Sequence, residues 1–133
     1  MGMYFINTDK KSNAGKSYHD EWFSRGVAVT SGPDTYKERL DRPDIGDLFL
    51  MYVNGTGIVG VGKVLSMESV RTKDTTSPNE PHEFHREVDW HLDLRGNPIS
   101  PAAIREMAGQ TPLQTVQKVR KGEEALGEFL ENL

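Results

Sequence analysis

Residues 47–65, DLFLMYVNGTGIVGVGKVL, constrain the fold more than any other part of the chain. Residues 47–53 form a nearly continuous apolar run, the pattern of a strand covered on both faces. Asn54-Gly55 is a strong turn signal, and Ile58 to Met67 is again rich in Val, Ile and Leu, so the two runs predict a β-hairpin. Within it, Gly55-Thr56-Gly57-Ile58-Val59-Gly60 matches the G-x-G-x-x-G spacing of dinucleotide-binding loops. That fingerprint needs a helix directly after the glycines, so that its amide groups face a pyrophosphate. Gly60 is instead succeeded by Val61-Gly62-Lys63-Val64-Leu65, poor helix material. A geometrical reading fits better. Gly60 and Gly62 are two apart and share one face of a strand. Their missing side chains let the strand coil sharply, as a small barrel requires, and let another element or a flat ligand come close.

The flanking sequence predicts short elements around this hairpin. Tyr4-Phe5-Ile6 reads as a strand, Asn7 to Lys16 as a polar loop, His19 to Ser24 as a short helix around Trp22 and Phe23, and Gly26 to Thr30 as a β-branched strand. Thr35 to Leu40 predicts one or two helical turns. The segment 71–86, polar and holding Pro78 and Pro81, reads as a mobile loop. Val88 to Leu94 alternates apolar and polar residues, a strand with Val88, Trp90, Leu92 and Leu94 on one buried face. Ser100-Pro101 predicts a helix start and Gly109 its stop. Leu126, Phe129, Leu130 and Leu133 form the stripe of an amphipathic C-terminal helix. With 133 residues and no internal repeat, the chain reads as one domain, residues 1–133.

Composition excludes several classes of function. With 16 Lys and Arg against 20 Asp and Glu, the formal net charge is −4, which disfavours non-specific coating of nucleic acid through phosphate neutralisation. It leaves open a reader that grips one base in a pocket with a local basic rim. The absence of cysteine removes disulfides and thiolate metal sites and makes a cytoplasmic location the simpler expectation. The N-terminus lacks the basic-then-apolar pattern of a signal peptide, and the longest apolar run is too short to cross a bilayer, so no membrane partner is expected. Gly15-Lys16-Ser17 resembles the end of a phosphate-binding loop, yet position 10, where the first glycine should stand, is Lys10. The histidines of His82-Glu83-Phe84-His85 and His91 lack a convincing carboxylate–histidine frame, so no metal is expected. Pro33-Asp34 and Pro43-Asp44 lack the acid-x-lysine that a restriction-type nuclease core adds. No catalytic constellation emerges, and no cofactor is expected.

Large aromatics on loops beside a barrel are natural stacking platforms for a nucleobase. Trp22, between polar segments, suits that use or the closing of a small core; Trp90, on an alternating strand, suits the core. The order of elements also resembles a known family. Tyr4-Phe5-Ile6-Asn7-Thr8, Trp22 with Gly26-Val27, the Gly46-Asp47-Leu48…Tyr52 and Gly57-Ile58-Val59-Gly60-Val61-Gly62-Lys63-Val64 hairpin, and Val88-Asp89-Trp90 are similar to the corresponding segments of EVE domains. These belong to the PUA-like superfamily, with YTH and ASCH domains. The resemblance spans most of residues 3–95 and weakens after Trp22, where the family's Arg-Asn-Tyr stretch is missing.

The resemblance implies an α+β fold, a small strongly bent β-barrel flanked by short helices, and a non-catalytic module that reads a modified or flipped base of DNA or RNA. Carried over by position, Asn7, Thr8, Trp22, Val27 and Tyr52 would line the pocket. Lys10, Lys11, Lys16 and Arg25 lie near them in sequence and would hold flanking phosphates. Two alternatives stand beside this reading: a binder of a small ligand or a protein that reuses the barrel, and an ASCH-like hydrolase of modified nucleosides with Lys63 or Asp89 as its polar group.

Overall fold

The apolar run and its hairpin partner form the middle of the sheet. The computed structural model describes residues 2–8, 18–75, 82–112 and 114–133. In chain order the elements are β1 (Met3–Asn7), α1 (Tyr18–Arg25), β2 (Val27–Thr30), α2 (Asp34–Leu40), β3 (Leu48–Val53), β4 (Gly57–Val64), β5 (Val70–Thr72), β6 (Glu83–Asp93), α3 (Pro101–Ala108), β7 (Val116–Lys118) and α4 (Glu123–Glu131). The strands run β2-β6-β4-β3-β1-β7, and β5 pairs with β6 off that path. Every pairing is antiparallel except β1 with β3. None of these helices is long and apolar enough to cross a membrane.

β3 is covered on both faces, as its composition demands. Phe49 and Met51 enter one core with Ile6, Val59 and Val64, closed by Trp22 of α1 and Leu40 of α2. Leu50 and Tyr52 enter a second core with Phe5, Ile58 and Val61, closed by Ile104 and Ala108 of α3 and Leu126 and Leu130 of α4. The expected α+β class is thus realised as an open half-barrel with two helices on each side. Two bulges curl it. Between Met51 and Tyr52 of β3, β4 spends an extra residue; between Val61 and Lys63, β6 spends one, since Val61 faces Leu92 while Lys63 faces Asp89. Each extra residue bends its strand and tightens the local twist.

The second bulge corrects the sequence reading of β6. Val88 and Trp90 pack on the first core, whereas Leu92 and Leu94 pack on the second, because the extra residue inverts the alternation between them. A second correction concerns residues 71–86, which read as a loop. Val70–Thr72 is a strand, and β6 begins at Glu83, five residues before the expected start. The polar composition misleads because Glu83 and Arg86 are buried while the chain runs as sheet. Arg86, 1% exposed, donates from Nε and Nη2 to the Ser66 carbonyl at 3.2 and 3.0 Å, from Nη1 to Leu40 at 3.0 Å and from Nη2 to Met67 at 3.2 Å. β4 also stops at Val64 rather than Met67, and β7 carries too few apolar residues to be foreseen.

Helix boundaries agree with their caps. The Ser100 hydroxyl accepts the Ala103 amide at 3.2 Å with Pro101 in the first turn, and Gly109, left-handed at φ 65°, donates its amide to Arg105. Leu126 and Leu130 of the C-terminal stripe are buried, while Phe129 is partly exposed and Leu133 lies beyond the helix.

Candidate functional site

Trp22 reaches the sheet from α1, a helix whose ends are electrostatically matched. Asp20 and Glu21 stand in the first turn, Arg25 in the last, and Glu21 and Arg25 pair at 3.0 Å one turn apart. Gly26 stops the helix with its amide on the Trp22 carbonyl at 2.9 Å, which turns the chain directly into β2. Trp22 and Phe23 therefore face the same core from one helical turn. Arg95, ion-paired to Asp20 and Asp93, lies 4.3 Å above the Phe23 ring and ties α1 to the turn after β6.

The two strand glycines receive the protein's own rings. A Cβ at Gly60 would stand 2.5 Å from Cζ of Phe23, and one at Gly62 would stand 2.6 Å from Cε3 of Trp90 and collide with Val88. The space expected beside them for an element or a flat ligand is filled by Phe23, Val88 and Trp90. Sequence reasoning misses Phe23 in that place; its position next to Trp22, opposite two side-chain-free positions of one strand face, is the available signal.

The two tryptophans differ in one respect. Their rings are offset-stacked, with centroids 6.5 Å apart and planes 26° from parallel. Trp90 is half-buried, and its Nε1 donates to the Val27 carbonyl at 2.9 Å. Trp22 is 3% exposed, and its Nε1 has no hydrogen-bond partner among the described residues. A buried donor left unmade costs about 1–3 kcal/mol, and such groups are rare enough in folded proteins to demand a reason. The arrangement holds one buried, unpaired N–H beside two packed indole rings. Once uncovered, such a ring can stack on a planar heterocycle and donate to a carbonyl oxygen or an unprotonated ring nitrogen.

The remaining expected residues fall into three places. Val27 lies in the first core and contributes its carbonyl to Trp90. Asn7 and Thr8 stand at the end of β1; the Asn7 amide donates to Thr115, and Thr8 donates both its amide, at 2.9 Å, and its hydroxyl, at 3.2 Å, to the Tyr52 carbonyl. Tyr52 itself is 2% exposed and points into the second core, across the sheet from Trp22, so only its backbone reaches the β1 end. Lys10, Lys11 and Lys16 lie outside the described residues. Arg25 is engaged by Glu21 and by Asp74, whose carboxylate is 3.3 Å and whose carbonyl is 3.2 Å away. Lys63 and Asp89 are cross-strand partners, both exposed, on the face opposite Gly62 and Val64. His85 contacts buried Glu83 at 3.0 Å, and no group of three or more metal-capable side chains occurs among the described residues.

No family model matches the sequence, and no curated protein does. Solved structures do match in fold. The human THYN1 protein, in complex with DNA containing 5-methylcytosine, superposes with a TM-score of 0.60 at 13% identity, over 100% of this chain and 99% of that one. The YTH domain of the Zygosaccharomyces rouxii MRB1 protein, in complex with N6-methyladenosine RNA, gives 0.62 at 15% identity over 98% and 84%. An ASCH protein from Zymomonas mobilis gives 0.59 at 12% identity over 97% and 96%.

Proposed function

Taking as premise that the chain has the PUA-like fold of these YTH, ASCH and THYN1 structures, we propose that it is a non-catalytic nucleic-acid-binding module that receives a modified or flipped base at Trp22. The observation that carries this reading is the buried indole N–H without an acceptor, set against a second indole. A base edge would supply the missing acceptor. Two of the matching structures hold methylated nucleic acid, which supports the same use of the fold here.

The energetics suit a base reader better than a backbone binder. Stacking contributes about 1–3 kcal/mol per base, and a hydrogen bond to Trp22 Nε1 removes a penalty already present in the free protein. Flipping a base from a duplex costs a few kcal/mol, least for single-stranded or damaged positions. Because Trp22 is 3% exposed, the indole must be uncovered before a base reaches it, and the observed affinity is reduced by the fraction of open molecules. The acidic net charge and the engaged Arg25 leave little to a diffuse phosphate attraction. Within the site, Val27 would pack beside the base and Thr8, at the end of β1, would reach its polar edge, whereas Asn7, paired with Tyr52, stands on the other face of the sheet.

The test is a titration with short oligonucleotides carrying one 5-methylcytosine or one N6-methyladenosine, and with their unmodified counterparts. The chain has two tryptophans, so intrinsic fluorescence reports on both rings at issue. Binding is expected to quench Trp22 and to weaken in Trp22→Phe, which keeps a ring but removes the N–H. No change in fluorescence or anisotropy with any oligonucleotide overturns the proposal.

A further inference from the structure

A groove of about 320 Å³ lies at the β5–β6 hairpin, lined by Arg71, Thr72, Lys73 and His82. Some cations of this surface are held by carboxylates, as Lys37 is by Asp41 and Glu68, and Arg95 by Asp20 and Asp93. Arg71 and Lys73 have no carboxylate partner among the described residues. The nearest acid in sequence, Asp74, is turned onto Arg25.

The polar atoms of the groove are held as donors. Nη2 of Arg71 approaches Nδ1 of His82 at 3.4 Å. A guanidinium carries only donors, so Nδ1 acts as acceptor and the imidazole proton sits on Nε2. The His82 ring is steadied edge-on against Phe84, with centroids 6.1 Å apart. The Thr72 hydroxyl accepts the Asp74 amide at 3.0 Å, which leaves its own proton available. Guanidinium, ammonium, imidazole N–H and hydroxyl thus surround one concavity, with no carboxylate in its lining among the described residues. That set matches the oxygens of a phosphodiester.

The groove is also coupled to the tryptophan site. Arg25, one turn after Trp22 on α1, bonds both the carbonyl and the carboxylate of Asp74, the residue after Lys73. We propose that this groove binds the phosphate backbone of the same nucleic-acid strand whose base is received at Trp22. The inference rests on the nucleic-acid reading above and adds to it the contact that sets the strand's path.

The test uses Arg71→Gln/Lys73→Gln in the full chain, with Lys118→Gln/Arg120→Gln as a control of equal charge change at β7, the opposite end of the strand order. The replaced side chains are exposed, so thermal unfolding should be unchanged. The groove variant is expected to bind modified and unmodified single strands roughly threefold to tenfold more weakly, with the ratio between them preserved. Its plot of log affinity against log salt should be shallower by about 1.4, at roughly 0.7 for each lost phosphate contact. The control should keep the wild-type slope. Equal losses in both variants would mean that net charge alone acts, and the groove proposal falls. It falls equally if the groove variant self-associates through β5 while binding oligonucleotide normally, since the cations would then only guard a sheet edge. An unchanged slope together with lost binding in Trp22→Phe removes the groove and leaves the base site. A reduced slope together with full binding by Trp22→Phe removes the base site and leaves the groove. No binding by the wild type overturns both.

Discussion

Replacing each tryptophan by phenylalanine separates the indole N–H from the indole ring. Both substitutions remove the pyrrole half of a ring packed on the same core, a loss of about 1–2 kcal/mol against roughly 3–5 for full truncation to alanine. The N–H terms then have opposite signs. In Trp90→Phe a made hydrogen bond to Val27 disappears, worth about 0.5–1.5 kcal/mol net. In Trp22→Phe an unmade one disappears, relieving about 1–3 kcal/mol. Trp22→Phe should therefore be close to neutral and Trp90→Phe, whose half-buried ring loses less packing, destabilised by about 1–3 kcal/mol, because the two N–H terms have opposite signs. Urea unfolding monitored by far-ultraviolet circular dichroism measures both, and a chain of this size should unfold in one transition. In oligonucleotide binding the order reverses: Trp22→Phe should lose roughly tenfold to a hundredfold in affinity, the equivalent of about 1–3 kcal/mol for an unpaired base acceptor. A variant that is stable and binds poorly is the signature of a group kept for a ligand at the expense of the free fold. If Trp22→Phe is the more destabilised of the two, or binds as the wild type does, the reasoning from the orphaned donor is refuted.

Three further outcomes are expected from the packing. Arg86→Met removes four hydrogen bonds and orphans the carbonyls of Leu40, Ser66 and Met67, and should cost about 3–5 kcal/mol, or roughly 10–15 °C in Tm. Burial draws the Arg86 pKa down while Asp41, Asp44 and Asp47 pull it up, so a neutral or stabilising Arg86→Met would show that desolvation outweighs the carbonyl clamp. Gly62→Ala places a methyl group against Trp90 and Val88 and should cost about 1–3 kcal/mol with a changed near-ultraviolet spectrum; an unchanged spectrum would mean the ring is not seated there. Burial raises the Asp41 carboxyl, but hydrogen bonds from Lys37 and Ser69 outweigh it and hold the group below the ordinary carboxylate value. Its contribution is therefore complete above about pH 5 and lost as pH falls below about 4, so the gap in unfolding midpoint between wild type and Asp41→Asn should close on acidification; a gap that persists at low pH contradicts the assignment.

The legible parts of the fold are those where local chemistry and burial agree. The central hairpin, the Ser100 and Gly109 caps and the short helix at Trp22 arise from residues that act within a few positions of themselves. The hidden parts depend on distant partners. Arg86 reads as solvated until the carbonyls of α2 and of residues 66–67 are brought to it, and with it the first half of β6 reads as loop. The extra residue near Trp90 has no signature in the alternation it interrupts. Trp22 stands out in the sequence as a tryptophan in a polar setting, whereas the lack of an acceptor for its N–H is a property of everything around it. Tyr52 cannot be assigned to either side of the sheet from its sequence, because a run covered on both faces does not say which face each residue takes. The groove at Arg71, Lys73 and His82 needs the β5–β6 pairing, which brings together residues separated by a polar segment.

The placement of β1 orders the assembly of the molecule. Its parallel neighbour β3 starts 45 residues later, from Met3 to Leu48, and its other neighbour β7 supplies Lys118 opposite Tyr4. A chain emerging from a ribosome exposes the backbone groups of residues 3–7 long before β7 and satisfies them on one side only when more than a hundred further residues have been made. Shortened forms ending before Val116 would carry a raw strand edge beside the most apolar part of the sheet, an invitation to intermolecular pairing. The short β7, unremarkable in composition, is what covers that side of β1 and leaves only a three-residue strand at the edge.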